Sequence, residues 1–578
     1  MKIGHIIRGS AGSSLVCFLL GITKIDPILF GLQLARFMNN GRLDLPDIDI
    51  DVPYNRREEL FRRISETWPK QVAHISNYVT YGHKVALREL AKASLLSKMS
   101  EKSELRTPEE KKKLRALAKK SFKLETLIED EAERKEILKA AQEKVGTLKN
   151  YSLHCGGIVI FEEEGEIPEE LKLDCERDDG KIQLNLNKDD TEDSGFIKID
   201  ILSNRGLAIL TEADEGKHTL LDYPWFDGKI RALFSRGDTI GLTFSESRGC
   251  RRVLMEMRPR HMGDVAIALA VIRPAAAGDG RKGAFLERWK KGAEEEDNPY
   301  LRPIVFDDDA IIRIQDLLKC DAATADRWRK VFAKEKKEEM RQFYLKLTLA
   351  GHSREICQMA KSDLEMLSYY SFCKSHAISY AQLVWALAWH KVYNTHKFWI
   401  AVLNHNHSDY RKWVMWREAK CSGLQLTREK GPWHLGVRNG LPAILSAQGT
   451  EQSLICKSAT QDISDYRNLG YWLGDSFLKG CGIWPVAQRK IDSALLNKKD
   501  VRFCGIIACG RIYKRDSLLT FITIGTENGV FIDLIISGTR RDLFSWVGVQ
   551  GTGTIKKEGT IEVDSIRGAS LDICSKAS

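Results

Sequence analysis

No Cys-x-x-Cys pair occurs among the thirteen cysteines, which are scattered from Cys17 to Cys574. That absence excludes a zinc ribbon, and an odd count without a regular framework argues against a disulfide-stapled fold, so reduced thiols are expected. No apolar run approaches the length of a membrane span. Lys2 and Arg8 followed by "LVCFLLGI" imitate the start of a signal peptide, but "TKIDP" follows where a small-residue cleavage site would stand. A cytoplasmic protein is expected. Internal repeats, low-complexity tracts and Walker A spacing are missing too, which excludes solenoids, flexible tails and P-loop nucleotide binding.

The 578 residues suffice for several cores, and 43% hydrophobic with 29% charged residues is ordinary for a globular protein. The formal charge is +10, which favours a polyanionic partner. Against that balance stands an acidic stretch, "DLPDIDIDVP". Side chains of an extended strand alternate, so Asp47, Asp49 and Asp51 share one face, and Ile48 and Ile50 the other. Like charges so close raise one another's pKa unless a cation sits among them. A calcium loop starting at Asp47 would need glycine at the sixth position, where Val52 stands. On this stretch alone an acidic, solvent-facing strand edge remains an equal alternative.

"FIKIDIL" adds Lys198 and Asp200 on one face of a second strand. Carboxylates two apart on a strand lie roughly 7 Å apart. With a third from a neighbouring strand they can hold two divalent ions about 4 Å apart, the arrangement for in-line phosphoryl displacement. Mg²⁺ suits such a set, with Mn²⁺ able to substitute, because it keeps waters and takes further ligands from phosphates. "IIRGSAGSSLVCFLLGI" reads as a strand, a break at Gly9-Ser10 and an apolar helix. Free N–H groups there could cradle phosphates, although a plain helix cap reads the same way.

In chain order stand "RGSAGSSLVCFLLGITKIDP", "PDIDID", "HCGGIVIF", "IKIDIL", "SESRGCRRVL", "ALAVIRP", "ADRWRKVFAK" and "CKSHAISYA". Together they resemble the bacterial C-family replicative DNA polymerases, the alpha subunit of DNA polymerase III. The resemblance implies an α/β multidomain protein with a nucleotidyltransferase-type (polymerase beta-like) palm, a helical thumb and fingers, and a C-terminal OB-like β-barrel. It assigns metal binding to Asp47, Asp49 and Asp200. Gly9 and Ser10, with Arg8 beside them, match its triphosphate-binding Gly-Ser motif. Arg329, Lys330 and Lys334 match its basic fingers motif, and Lys374 and His376 a stretch near the nucleotide. Lys198 is expected at the primer terminus, with Arg248 and Arg273 as further DNA-facing positions and His154 as a support of the palm.

The implied division is palm over 1–69 and 151–207, thumb over 70–150, fingers over 208–408, a connecting region, possibly helical, over 409–499, and the barrel over 500–578. The thumb range reads as charged helix, with a capping box at Thr107 and Glu110. The barrel rests on alternating runs and an Asn528-Gly529 hairpin turn. Arg511, Lys514 and Arg515 could offer it charge and Tyr513 and Phe531 stacking surfaces for single-stranded DNA. Primer-template DNA and deoxynucleoside triphosphates are the implied partners. A sliding clamp, a proofreading subunit and a palm-completing subunit are further candidates, although no clamp-binding peptide is evident. Departures are "DIDIDV" without the usual Phe, "RPAAA" for Arg-Pro-Gly-Pro, "FDDD" for a Tyr-Gln-Glu-Gln type stretch, and no PHP domain before the Gly-Ser motif. The chain is thus expected to be a compact or divergent relative, in a bacterial or phage-infected cell. Two other readings are a nucleic-acid-binding protein with a decayed polymerase site and a metal-dependent nuclease.

Overall fold

The structure is a computed structural model that describes residues 3–39, 48–97, 107, 111, 124, 127–162, 167–173, 180–272, 281–294, 304–365, 372–406, 408–425, 431–438, 440–446, 499, 501–513, 518–525, 531–557 and 560–570. Its first sheet has six strands: β1 (Ile6–Arg8), β2 (Ile48–Pro53), β3 (Val72–Thr80), β4 (Leu148–Ile160), β5 (Ile182–Gln183) and β6 (Lys198–Asn204), in the order β1-β2-β6-β4-β3-β5. The chain divides into two compact units, 1–41 with 51–56 and 203–578, and 42–50 with 57–202.

The smaller unit is mixed α/β. β3 and β4 pair antiparallel from Val72↔Ile160 to Thr80↔Leu148. Ala73, Ile75, Val159 and Leu184 form the core on this sheet. The His83–Ser97 and Glu131–Lys144 helices meet through Ala91, Leu95 and Ile137. The expectation of helix throughout 70–150 is therefore corrected. Val72, Ile75, Val79 and Thr80 are β-branched, and this run forms a nine-residue strand before the helices begin. The Glu110 half of the expected capping box lies outside the described residues.

The larger unit is built around the Lys374–Tyr393 helix, of which almost every residue from Ser375 to Lys391 is buried. A helix that is apolar all round must be enclosed on every side. Here the Arg205–Asp214 and Met262–Val271 helices pack on it, and Trp385, Phe398 and Trp399 belong to the same core. Short Ala377, Ala381, Ala386 and Ala388 let those neighbours approach. Among the described residues no helix is long and apolar enough to cross a membrane. The described cysteines are free thiols.

A buried polar knot closes one end of this bundle. Asp214 accepts from the His218 backbone N–H at 2.7 Å and from its ring at 2.5 Å, and His390 Nε2 meets Tyr223 Oη at 2.8 Å. Burial holds the His390 imidazole down to about 4, against a raising pull from Asp214. Burial pushes Asp214 up, but the bonds from His218 outweigh it and leave the carboxyl below its ordinary value. Both groups act in the same direction. A depressed folded-state pKa stabilises the fold above the unfolded value, and that contribution is lost as the pH falls through the folded one. For His390 the window runs from about 6.5 down to about 4. Thermal stability is expected to decline across it by on the order of 3 kcal/mol. The profile should flatten in His390→Gln; an unchanged acid limb in that variant would assign the effect elsewhere.

The described residues of 409–499 are only partly helical. The Lys412–Cys421 helix is followed by an antiparallel hairpin of β7 (Trp433–Arg438) and β8 (Leu441–Ser446). The chain then forms a closed barrel of β9 (Val501–Tyr513), β10 (Leu519–Gly525), β11 (Phe531–Ser537), β12 (Trp546–Lys557) and β13 (Thr560–Ser570). Its order, β9-β10-β11-β13-β12 closing back on β9, with β11 parallel to β13 and every other pair antiparallel, fits the five-stranded OB-fold. Asn528 and Gly529 lie outside the described residues, but the strands they join pair from Leu519↔Ser537 to Gly525↔Phe531.

Candidate active site

In the smaller unit the second acidic strand carries a buried charge pair. The Lys198 ammonium lies 2.5 Å from Asp200 Oδ2, and the two residues are 3% and 8% exposed. The remaining oxygen, Asp200 Oδ1, is buried without a hydrogen-bond partner. A buried carboxylate oxygen left so is costly unless something positive comes to it. His154 Nδ1 lies 3.7 Å from Oδ1, which by distance alone would be an ion pair. Yet Nδ1 accepts the Gly156 and Gly157 backbone N–H groups at 3.3 and 2.7 Å, so it carries no proton. Burial, the largest influence, lowers the His154 pKa as well, and the ring is neutral.

That geometry explains "HCGG". Gly157 pairs with Asp200 across β4 and β6. A Cβ on Gly156 would lie 2.4 Å from the Ile201 carbonyl oxygen, and one on Gly157 2.5 Å from the Ile75 side chain. Only glycine lets β4 lie this close to the Asp200 strand. Asp49 is half-buried on β2 in the same unit. Asp47 and Arg273 lie outside the described residues.

In the larger unit β1 runs into a 3₁₀ turn at Gly9–Ser13. Gly9 has φ +69°, which favours glycine, and a Cβ on Gly12 would come 2.9 Å from that of Ser375. The "KSHAIS" helix start holds this turn from behind. Ser375 Oγ donates to the Gly9 carbonyl at 2.6 Å, Ser379 Oγ to the Ile7 carbonyl at 2.7 Å, and the Gly9 N–H donates to His376 Nδ1 at 3.2 Å. His376 is thus a positioning residue for the Gly-Ser turn. Its ring stands edge-on to Tyr380 at 4.5 Å.

Asp51 shares strand parity with Asp49 but has other work. It is 2% exposed, accepts from Asn204 Nδ2 at 2.7 Å and Tyr380 Oη at 3.0 Å, and lies 3.8 Å from Arg8 Nε. Burial pushes its carboxyl up, against the lowering pull of those three partners. Asn204 also caps the following helix by accepting the Leu207 N–H. Asp51 therefore ties β2 to the central helix.

The basic positions separate into two kinds. Arg329 is only 4% exposed; its Nη1 donates to Asp307 at 3.0 Å and its Nε to Asp326 at 2.8 Å. Lys374 Nζ pairs with Asp309 at 3.1 Å, and Asp308 accepts the backbone N–H groups of Gln33 and Lys374. Arg36 adds a second cation to Asp307 at 2.8 Å. The "DDD" of "FDDD" is thus the counter-charge for Arg36, Arg329 and Lys374. Lys330 and Lys334 face solvent, Lys330 also reaching Asp326 at 3.1 Å.

Arg248 and Phe531, read from sequence as nucleic-acid contacts, both lie where the barrel meets the helices. The Arg248 guanidinium pairs with Asp533 and donates to Thr560 Oγ1 at 2.7 Å, and burial lowers its pKa to about 10. The Phe531 ring lies under Arg417 at 4.6 Å and Arg251 at 5.5 Å. Trp413 Nε1 donates to the Ile507 carbonyl at 3.0 Å, and the Arg411 guanidinium to the Trp546 and Phe544 carbonyls at 2.8 and 3.0 Å. Cys504, Ile506, Ala508 and Val547 join the same core as the helices. No sequence signal marked Arg411 or Trp413. Lys514 and Arg515 lie outside the described residues.

Residues 2–203 match the family described as the bacterial DNA polymerase III alpha NTPase domain, and residues 204–350 the finger domain of the same subunit. The chain is 29% identical over 433 residues to the DNA polymerase III subunit alpha of Halalkalibacterium halodurans, covering 68% of this chain and 37% of that one. It is 27% identical over 469 residues to the DNA polymerase III subunit alpha of Aquifex aeolicus, covering 72% and 40%. Error-prone DNA polymerase 1 of Agrobacterium fabrum is 28% identical over 421 residues, covering 69% and 38%. The chain spans about two fifths of the length of these relatives.

Proposed function

Because this chain belongs to the bacterial DNA polymerase III alpha family, we propose that it is a template-directed DNA polymerase extending a primer 3′-end by phosphoryl transfer. In this reading the palm comprises 1–69 and 151–207, the thumb 70–150 and the fingers 208–408, with the barrel near single-stranded template. The observation that carries the reading is the Lys198–Asp200 pair, whose second carboxylate oxygen has no hydrogen-bond partner. An anionic oxygen without a hydrogen-bond partner suits a divalent cation, which supports the implied metals at Asp200. Asp47, Asp49 and Asp200 would hold them. When bound, two Mg²⁺, or Mn²⁺ in their place, supply activation of the primer hydroxyl and neutralise charge on the leaving pyrophosphate.

The chain's own groups do the rest. Lys198 holds Asp200 in place by direct contact. Gly9 and Ser10 present the turn for the triphosphate, its backbone fixed by Ser375 and His376. Lys330, paired with Asp326 but exposed, and Lys334 are solvent-facing cations that add phosphate charge complementarity. The test is primer extension by the purified chain with Mg²⁺ and each deoxynucleotide in turn. Addition of the template-complementary nucleotide is expected. Shortening of the primer would favour the nuclease reading, and DNA binding without either reaction a decayed polymerase.

A further inference from the structure

Phe244 is a bulky residue in a left-handed backbone conformation, φ +72°. Among the described residues the other non-glycine positions with positive φ are Lys70, Glu215, Arg258, Lys319 and Glu335, all polar and long. A phenylalanine there is a true outlier, and such strain persists only where the surroundings impose it. They do so here. Thr239 Oγ1 donates to the Ser245 carbonyl at 2.7 Å, and the Ser245 N–H to the Leu242 carbonyl at 3.1 Å. The Gly241 N–H donates to Glu246 Oε2 at 3.3 Å, while Glu246 Oε1 is held by Arg205 at 2.6 Å. This pinned loop turns the ring outward, where the residue is 39% exposed instead of joining the core.

The ring is not idle at the surface. It lies nearly parallel to Tyr380, with centroids 4.3 Å apart and planes at 16°. Tyr380 is one helical turn beyond His376, which fixes Gly9, and its hydroxyl donates to Asp51. Arg8, the residue before Gly9, lies 5.9 Å over the Tyr380 ring. A strained, half-exposed aromatic face is therefore held beside the turn proposed to take the triphosphate. We infer that Phe244, seated on Tyr380, supplies the face on which the base of the incoming deoxynucleotide stacks. The inference rests on the reading of Gly9-Ser10 as the triphosphate seat. Every base has a π-face, so such a platform serves all four nucleotides alike.

The experiment measures kcat and KM for each deoxynucleotide in single-nucleotide extension by the full chain, with inorganic tripolyphosphate as competitor. Phe244→Gly is expected to raise KM roughly tenfold for all four, with kcat nearly unchanged. Its tripolyphosphate inhibition constant should stay at the wild-type value, because that probe has no base. Thermal stability should hold or rise, since glycine adopts this φ freely, and Phe244→Tyr should behave as wild type. An unchanged KM overturns the inference. So does a parallel loss of tripolyphosphate affinity, which would mean that Phe244 merely shapes the Gly9 turn. If tripolyphosphate fails to compete even in the wild type, the triphosphate reading of Gly9-Ser10 fails first and takes this inference with it.

Discussion

Asp200→Asn is expected to abolish nucleotide addition, by on the order of a thousandfold or more, with primer-template affinity near wild type. The loss is chemical because Asp200 Oδ1 is a buried carboxylate oxygen without a hydrogen-bond partner, the position at which a cation would be held. In the proposed reading DNA affinity would rest mainly on basic groups elsewhere in a chain of formal charge +10. Asparagine is chosen over alanine for a physical reason. Lys198 is 3% exposed and loses its counter-ion in Asp200→Ala, and an unpaired buried ammonium can cost about 3–5 kcal/mol. The asparagine carbonyl still accepts from Lys198 while the anionic charge is gone. Asp49→Ala, at a half-buried position, gives an independent version of the test. Extension at the wild-type rate by a folded Asp200→Asn protein would remove the metal assignment, whatever its thermal midpoint.

Alternation carried much of this site in the sequence. Period-two spacing placed Lys198 and Asp200 on one face, and they do pair. The same rule put Asp51 with Asp49, but strand parity cannot say which carboxylate meets a distant partner. Asn204 and Tyr380, 153 and 329 positions away, are what claim Asp51. The barrel was legible because its strands alternate and are bounded by turn residues. Its docking was not, since Phe531 as a stacking surface and Phe531 beneath two arginines have the same pattern. β3 was lost in a charged neighbourhood whose composition suggests helix, and the β7–β8 hairpin has too little alternation to stand out. "HCGG" was recognisable as a motif, but the close approach of β4 to the Ile201 carbonyl at Gly156 and to the Ile75 side chain at Gly157 is a tertiary fact.

Arg329 shows the same limit with the largest consequence for stability. Its residue type and helix suggested a phosphate ligand, yet Asp307, 22 positions earlier, and Asp326, one turn back, enclose it. Both carboxylates are 2% exposed. Arg329→Ala is therefore expected to lower folding stability by about 3 kcal/mol before any effect on nucleotide use appears. The cost falls short of a fully stranded pair because Asp307 keeps Arg36 and Asp326 keeps Lys330. It should be felt first in the cluster of Ile311, Ile314, Trp328, Phe332 and Phe343, where the arginine's helix packs. Limited proteolysis of 304–365 and thermal melts would read it. Adding Asp326→Asn to the variant should recover part of the loss, because one of the two carboxylates left short of charge is then neutral. Lys330→Ala and Lys334→Ala should do the reverse, raising the nucleotide KM with little change in the melt. A tenfold rise in KM with an unshifted melt in Arg329→Ala would mean that the guanidinium leaves its aspartates to meet the triphosphate, and the buried pair would then be a resting arrangement of the fingers.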